Sequence, residues 1–181
     1  MIKNIIISGS GGQGILSIGT ILANIALFSD KFVSYYPCYG AQMRGGAVNC
    51  EVSFSDEELL CIQKEKAKFV IALNQASFDK FISKVEKNGT IIANSTLIKP
   101  QKPREDINYI FAPITQEAIK LGNIKTANSI ALGILLNLLD EFSIENTKKA
   151  YEKVLKTKKD LIEKNIEALL LGFNFLKKEG N

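Results

Sequence analysis

Ile5-Ile6-Ile7-Ser8-Gly9-Ser10-Gly11-Gly12-Gln13-Gly14-Ile15 is the stretch that decides the fold. An apolar run ends in a glycine cluster, and a helical pattern follows. Lys3 to Ser8 reads as a buried parallel strand. Gln13 to Phe28 reads as a helix with two stripes: Ile15, Ile18, Leu22 and Ile25 on one side, and Leu16, Gly19, Ala23 and Ala26 beside it. A helix apolar on both sides is buried between layers, and its small residues permit close approach to a sheet. The glycines between strand and helix let the backbone bend sharply or come close to another molecule, because no Cβ intervenes.

Working outward, the pattern repeats. Strands are predicted at 32–36, 47–54, 69–73, 90–93 and 108–112, with helices over 75–85, 114–121, 128–139 and 158–178. Residues 47–54 alternate as a half-exposed strand does, Lys87-Asn88-Gly89 reads as a turn, and Ser143 with Asn146 forms half of a capping box. Strands alternating with helices define an α/β fold: a Rossmann-like three-layer domain with a mainly parallel sheet and helices on both faces, spanning 1–181 as one unit. A second glycine turn, Tyr39-Gly40-Ala41-Gln42-Met43-Arg44-Gly45-Gly46, follows the second strand. In such sheets ligands lie beyond the carboxyl ends of the strands, so both turns are expected at that edge.

Composition narrows the chemistry. The chain has 181 residues, 46% hydrophobic and 23% charged, with a net charge of +4 and lysines spread along it. That is an ordinary globular balance without the clustered basic stripe of a nucleic-acid-binding protein. There is no histidine, which removes the commonest general base and metal ligand. Cys38, Cys50 and Cys61 form no C-x-x-C, so an iron–sulfur or zinc site built by this chain alone is not expected. The odd cysteine count and the strand starting near Met1 lead us to expect reduced thiols, a cytoplasmic location and no targeting segment. No apolar stretch is long enough to span a bilayer.

Gly9, Gly11 and Gly14 satisfy G-x-G-x-x-G, but a dinucleotide site also needs an acid at the end of the second strand. That strand ends in Ser34-Tyr35-Tyr36, and Asp30 precedes it. The pattern argues against a nicotinamide or flavin cofactor and leaves a phosphate at the helix N-terminus, or a tight turn without ligand. Gln13 either bonds a ligand or partner loop, or points into water. Of 23 basic residues only Arg44 and Arg104 are arginine. Between loop glycines, Arg44 suggests a planar two-pronged donor or an interface ion pair, whereas Arg104 lies in a charged loop where that argument does not extend. Tyr35, Tyr36 and Tyr39 supply rings to cover a ligand or build an interface, Asn128 reads as a helix cap, and Cys38 reads as inert. No self-contained catalytic set is present, which favours a subunit or a binding module.

Gly9-Ser10-Gly11-Gly12-Gln13-Gly14-Ile15, Tyr39-Gly40-Ala41-Gln42-Met43-Arg44-Gly45-Gly46 and Glu51-Val52-Ser53-Phe54-Ser55 together resemble the gamma subunit of 2-oxoacid:ferredoxin oxidoreductases. Ala72-Leu73-Asn74-Gln75 and Thr126-Ala127-Asn128-Ser129-Ile130-Ala131-Leu132-Gly133 extend the resemblance over nearly the whole chain. It implies a complex that oxidatively decarboxylates 2-oxoglutarate, a branched-chain 2-oxoacid or pyruvate to an acyl-CoA and reduces ferredoxin. Indolepyruvate enzymes carry a similar domain. Thiamine diphosphate, Mg2+ and the iron–sulfur clusters would be carried by alpha, beta and, optionally, ferredoxin-like delta subunits, with none bound by this chain alone. The resemblance makes Gly9, Gly11, Gly12, Gln13, Gly14, Tyr39, Gly40, Arg44, Gly45 and Gly46 the candidate surface for CoA phosphate or a partner loop. The competing expectations are a stand-alone Rossmann-like nucleotide-binding protein and a purely structural subunit.

Overall fold

The computed structural model describes residues 2–39, 47–59, 65–156 and 159–179. In chain order the elements are β1 (Lys3–Ser10), α1 (Ile15–Leu27), β2 (Phe32–Tyr39), β3 (Ala47–Ser55), β4 (Ala67–Ala72), α2 (Gln75–Phe81), β5 (Val85–Asn94), β6 (Asn108–Ala112), α3 (Ile114–Lys120), α4 (Ala127–Leu139), α5 (Ile144–Val154), α6 (Lys159–Phe173) and α7 (Phe175–Glu179). They form the expected α/β fold around a six-stranded sheet of order β2-β3-β1-β4-β5-β6. β1, β4, β5 and β6 run parallel, as the isoleucine-rich runs predicted. β3 is inserted antiparallel between β1 and β2.

Alternation along the strands divides the core. Ile5 and Ile7 of β1, Cys50, Val52 and Phe54 of β3, and Ile71 of β4 face a layer built from α1, α4, α5 and α6. Ile6, Val70, Ala72, Ile91 and Ala93 face the other way, onto Phe78 and Phe81 of α2 with Ile98 and Ile107. The small stripe of α1 is buried as expected, with Ala26 at 0% exposure.

Three expectations change. Lys87-Asn88-Gly89 is not a hairpin-type turn but part of β5, where the pairing with β4 slips between Ala67 and Phe69. Asn88 takes φ 60°, which asparagine tolerates, and its N–H donates to the Asp106 carbonyl at 2.7 Å. The last helix breaks at Asn174, whose side-chain amide donates back to the Leu170 carbonyl at 2.9 Å. Ser143 caps α5 as expected, its hydroxyl accepting the Asn146 N–H at 3.1 Å. Asn146 does not close the box. Its amide donates instead to the Phe28 carbonyl at 2.8 Å, tying α5 to the end of α1. Arg104 is more than a loop charge: its guanidinium grips both Asp106 carboxylate oxygens at 2.9 and 2.6 Å and donates to the Ile82 and Val85 carbonyls at 2.8 Å each.

The thiols fit the expectation of inertness. Burial pushes Cys50 up to about 12. Cys38 is also raised, by burial first and by Glu51 second. Burial likewise raises the half-buried Glu51 carboxyl, with Lys84 pulling the other way. A carboxyl whose folded pKa exceeds its unfolded value destabilises the fold when ionised. That penalty is absent below the unfolded value and complete above the folded one. Glu51→Gln is therefore expected to raise the melting temperature of the isolated chain most near about pH 8 and least near about pH 4. A gain that is equal at both ends of a pH series of melts contradicts this assignment.

Candidate functional site

β1 delivers Ser10 to the carboxyl edge of the sheet, and the next residues reverse the chain into α1. Gly12 (φ 92°) and Gly14 (φ 70°) both adopt left-handed backbone, which explains glycine at each. Gly14 is the N-cap of α1, and no side chain caps the helix there. Gln13 ties the turn together from inside. Its backbone N–H donates to the Ser10 carbonyl at 3.1 Å, and its Oε1 accepts the Ser10 N–H at 2.6 Å. Its Nε2 donates to the Leu73 carbonyl at 3.3 Å. Gly9 leaves room for this: a Cβ there would meet Gln13 Oε1 at 2.5 Å and Ile15 Cδ1 at 2.7 Å. The side chain read from sequence as a contact group is thus a brace within the chain, although it lines the adjoining cleft.

Two further carboxamides hold the neighbouring strand ends. Asn74 caps α2, accepting the Ser77 N–H at 2.8 Å, while its Nδ2 donates to Ser10 Oγ at 2.6 Å. Asn94, buried at the end of β5, donates to Thr115 Oγ1 at 2.8 Å and to the Leu73 carbonyl at 3.3 Å. The sequence reading missed both roles. The signal was a carboxamide immediately after a buried apolar strand, where the exposed backbone groups of a sheet end need partners.

Asn128 is not a cap. Thr126 is the N-cap of α4, and the Asn128 Nδ2 reaches across to donate to the Gly14 carbonyl at 3.2 Å. Behind it, the fully buried Tyr151 hydroxyl donates to Ser129 Oγ at 2.9 Å, and Ser129 donates to Asn165 Oδ1 at 2.7 Å. Burial drives the Tyr151 phenol well above its ordinary range, so it remains a neutral donor. Tyr151→Phe leaves Ser129 without that donor and is expected to cost about 1 kcal/mol, a fall of about 3 °C in Tm by calorimetry. An unchanged Tm contradicts a stabilising role for the bond.

The second glycine segment leaves and rejoins the sheet at this same edge. Tyr39 pairs with Val48 at the end of β2, and Ala47 pairs with Ser10 at the start of β3. Gly40, Arg44, Gly45 and Gly46 lie outside the described residues, as does Cys61. The tyrosine pair divides: Tyr35 packs on the α1 side and donates to the Leu16 carbonyl at 3.2 Å, while Tyr36 is exposed.

Exposed Gly11 and Gly12 stand between two clefts. One, of about 220 Å3, is lined by Gly12, Gln13, Leu73, Asn94, Thr115 and Lys125. The other, of about 240 Å3, is lined by Gly12, Gly14, Asn123, Lys125, Asn128 and Asn165. Lys125 borders both. A larger cleft of about 310 Å3, lined by Leu136, Phe142, Leu169 and Phe173, lies between helices. No charged residue lines it. Convergent backbone and polar groups therefore mark the glycine edge as the candidate site. Among the described residues no three acidic or cysteine side chains gather in a group that could hold a metal ion. None of the described helices is long and apolar enough to cross a membrane.

The strand–glycine turn–helix unit at the carboxyl edge, with its carboxamides engaged internally, defines a Rossmann-like α/β domain. Residues 4–175 match the pyruvate ferredoxin/flavodoxin oxidoreductase family, and the chain belongs to that family. It is 33% identical over 182 residues to the 2-oxoglutarate synthase subunit KorC of Methanocaldococcus jannaschii, covering 98% of this chain and 95% of that one. It is 32% identical over 170 residues to the ketoisovalerate oxidoreductase subunit VorA of Methanothermobacter thermautotrophicus. That alignment takes 92% of this chain but 35% of the relative, so the chain spans about a third of that relative's length. The crystal structure of the keto/oxoacid ferredoxin oxidoreductase gamma subunit from Geobacter sulfurreducens superposes with a TM-score of 0.80 at 28% identity, covering 95% of this chain and 96% of that one.

Proposed function

We propose that the chain is the gamma subunit of a multi-subunit, cytoplasmic 2-oxoacid:ferredoxin oxidoreductase, folded as one domain over 1–181. The overall reaction breaks the C1–C2 bond of a 2-oxoacid, releases CO2, joins the acyl group to the CoA sulfur and passes two electrons to ferredoxin. Thiamine diphosphate with Mg2+ supplies the stabilised carbanion, and iron–sulfur clusters the electron path, both on alpha, beta or ferredoxin-like delta chains. The part of this chain is binding. Gly11 and Gly12 present exposed backbone just before the α1 N-terminus, which suits a phosphate of CoA, and Arg44 of the second glycine segment is the candidate two-pronged donor. The supporting observation is that both glycine segments are anchored at one edge, with Ser10 of the first paired to Ala47 at the end of the second. The substrate class is 2-oxoglutarate, a branched-chain 2-oxoacid or pyruvate.

Tagged co-purification from the native host tests this. Recovery of thiamine- and cluster-carrying partners, with CoA-dependent dye reduction by one of a panel of 2-oxoacids, supports the proposal and names the substrate. A chain recovered alone whose melting temperature rises with NAD, FAD or ATP overturns it in favour of a stand-alone nucleotide-binding protein.

A further inference from the structure

The glycine turn is held from two sides, and the proposal above concerns only what it presents. Gln13 braces it toward Leu73 and Ser10. Asn128 braces it from α4. The Gly14 carbonyl accepts both the Ile18 N–H, at 3.1 Å, and the Asn128 Nδ2. The carboxamide of Asn128 occupies the place a side chain on residue 14 would fill, since a Cβ there would overlap its Nδ2. It is itself confined: Asn128 is 8% exposed, and the Ser129 hydroxyl lies 3.4 Å from its Oδ1 while bonding Asn165. Tyr151 fixes that hydroxyl in turn.

We infer that Asn128 is a positioning residue: it holds Gly14 in its left-handed conformation and so aims the Gly12–Gly14 backbone at the bound CoA. This rests on the reading of the glycine edge as the CoA surface. Gly14 is the joint between turn and helix, with φ 70° and ψ 26°. Its carbonyl shares one peptide plane with the N–H of Ile15, the first residue of α1. Without the Asn128 donor the plane is held by the helical bond alone, and the joint between the turn and the first N–H of α1 loses its fixed aim. Preorganised donors bind an anion more tightly than donors that must be ordered on contact, so the loss falls on CoA and not on the 2-oxoacid.

The test uses the complete complex with its partner subunits, comparing Asn128→Ala and Asn128→Asp with the parent. Asparagine and aspartate share a shape, but aspartate offers no donor to the Gly14 carbonyl. Both variants are expected to raise the CoA KM about tenfold, the value of one lost hydrogen bond at an ordered site, while the 2-oxoacid KM stays within about twofold. Equal shifts in both KM values, or no shift in the CoA KM, overturn the inference. Should Asn128→Ala fail to assemble, Asn128→Ser is measured instead, and failure of both to assemble assigns Asn128 to structure and overturns it as well. Gly12→Asn separates the underlying reading: a Cβ on Gly12 meets nothing within 4 Å, and asparagine is among the residues that tolerate positive φ, so its side chain obstructs the exposed edge with the least backbone strain. A raised CoA KM in Gly12→Asn with an unchanged one in the Asn128 variants sinks the inference alone. An unchanged CoA KM in all of them sinks the CoA reading and the inference with it.

Discussion

Replacing Gly133 or Gly172 by alanine is expected to lower the melting temperature of the chain by about 5–10 °C, the equivalent of about 2–3 kcal/mol. Helix propensity argues the other way, since alanine is favoured over glycine by about 1 kcal/mol inside a helix. Packing decides the sign. α4 and α6 cross with their backbones in contact. A Cβ on Gly133 would run into the Leu169 carbonyl oxygen and lie 2.8 Å from the Phe173 nitrogen. A Cβ on Gly172 would run into the Ile130 carbonyl oxygen and lie 2.8 Å from its carbon. These obstacles are backbone atoms that cannot rotate aside, so the helices must separate and loosen the packing around Ala168, Leu169 and Ile130, all at 1% exposure or less. Once one methyl has forced the crossing open, the second meets less resistance. The double variant is therefore expected to cost less than the sum of the singles. An alanine variant that melts at or above the parent temperature contradicts the backbone contact. The crossing also bears on the site, because α4 carries Asn128 and Ser129 and α6 carries Asn165 to the same cleft.

Much of this organisation was legible in the residues, for identifiable reasons. The unit from Lys3 to Phe28 announced itself because a buried parallel strand needs no polar face and its helix needs a 3.6-residue stripe, and both periods survive in sequence. The alternation of Val48, Cys50, Val52 and Phe54 showed a strand but not its direction, since a period of two is the same whichever way the neighbour runs. Asn88 misled for a physical reason: a residue that tolerates positive φ serves equally in a turn and in an irregular strand pairing. The junction of glycine turn and α4 was invisible because the contact between Asn128 and Gly14 spans 114 positions. Local capping chemistry explained an asparagine in the first turn of a helix well enough to hide the longer reach. Gln13 was read as bonding a ligand or partner loop, or as pointing into water, and the sequence could not say that the turn itself and Leu73 would accept and donate its bonds.

Arg44→Ala is expected to raise the CoA KM of the assembled complex by about 10–100-fold, the range for losing a charge-assisted, two-pronged hydrogen bond to a phosphate. Arg44→Lys is expected to recover only part of that. The chain's use of arginine is the reason. Of 23 basic residues only two are arginine, and the one within the described residues, Arg104, makes four hydrogen bonds from its planar head, two to a single carboxylate. A lysine at 104 has no fork with which to grip both Asp106 oxygens. Lysine meanwhile serves where a point charge suffices, as in Lys3 with Glu141 and Lys149 with Glu145, each at 2.7 Å. A sequence that reserves arginine for fork geometry and places its other arginine among the glycines of 40–46 has reason to need a fork there. The residues that flank that segment, Tyr39 and Ala47, lie at the edge where Ser10 ends β1. Steady-state kinetics at varied CoA on the purified complex separates the cases. A lysine variant equal to the parent reduces the requirement to charge alone. An alanine variant that assembles with unchanged CoA KM and turnover removes Arg44 from the binding surface.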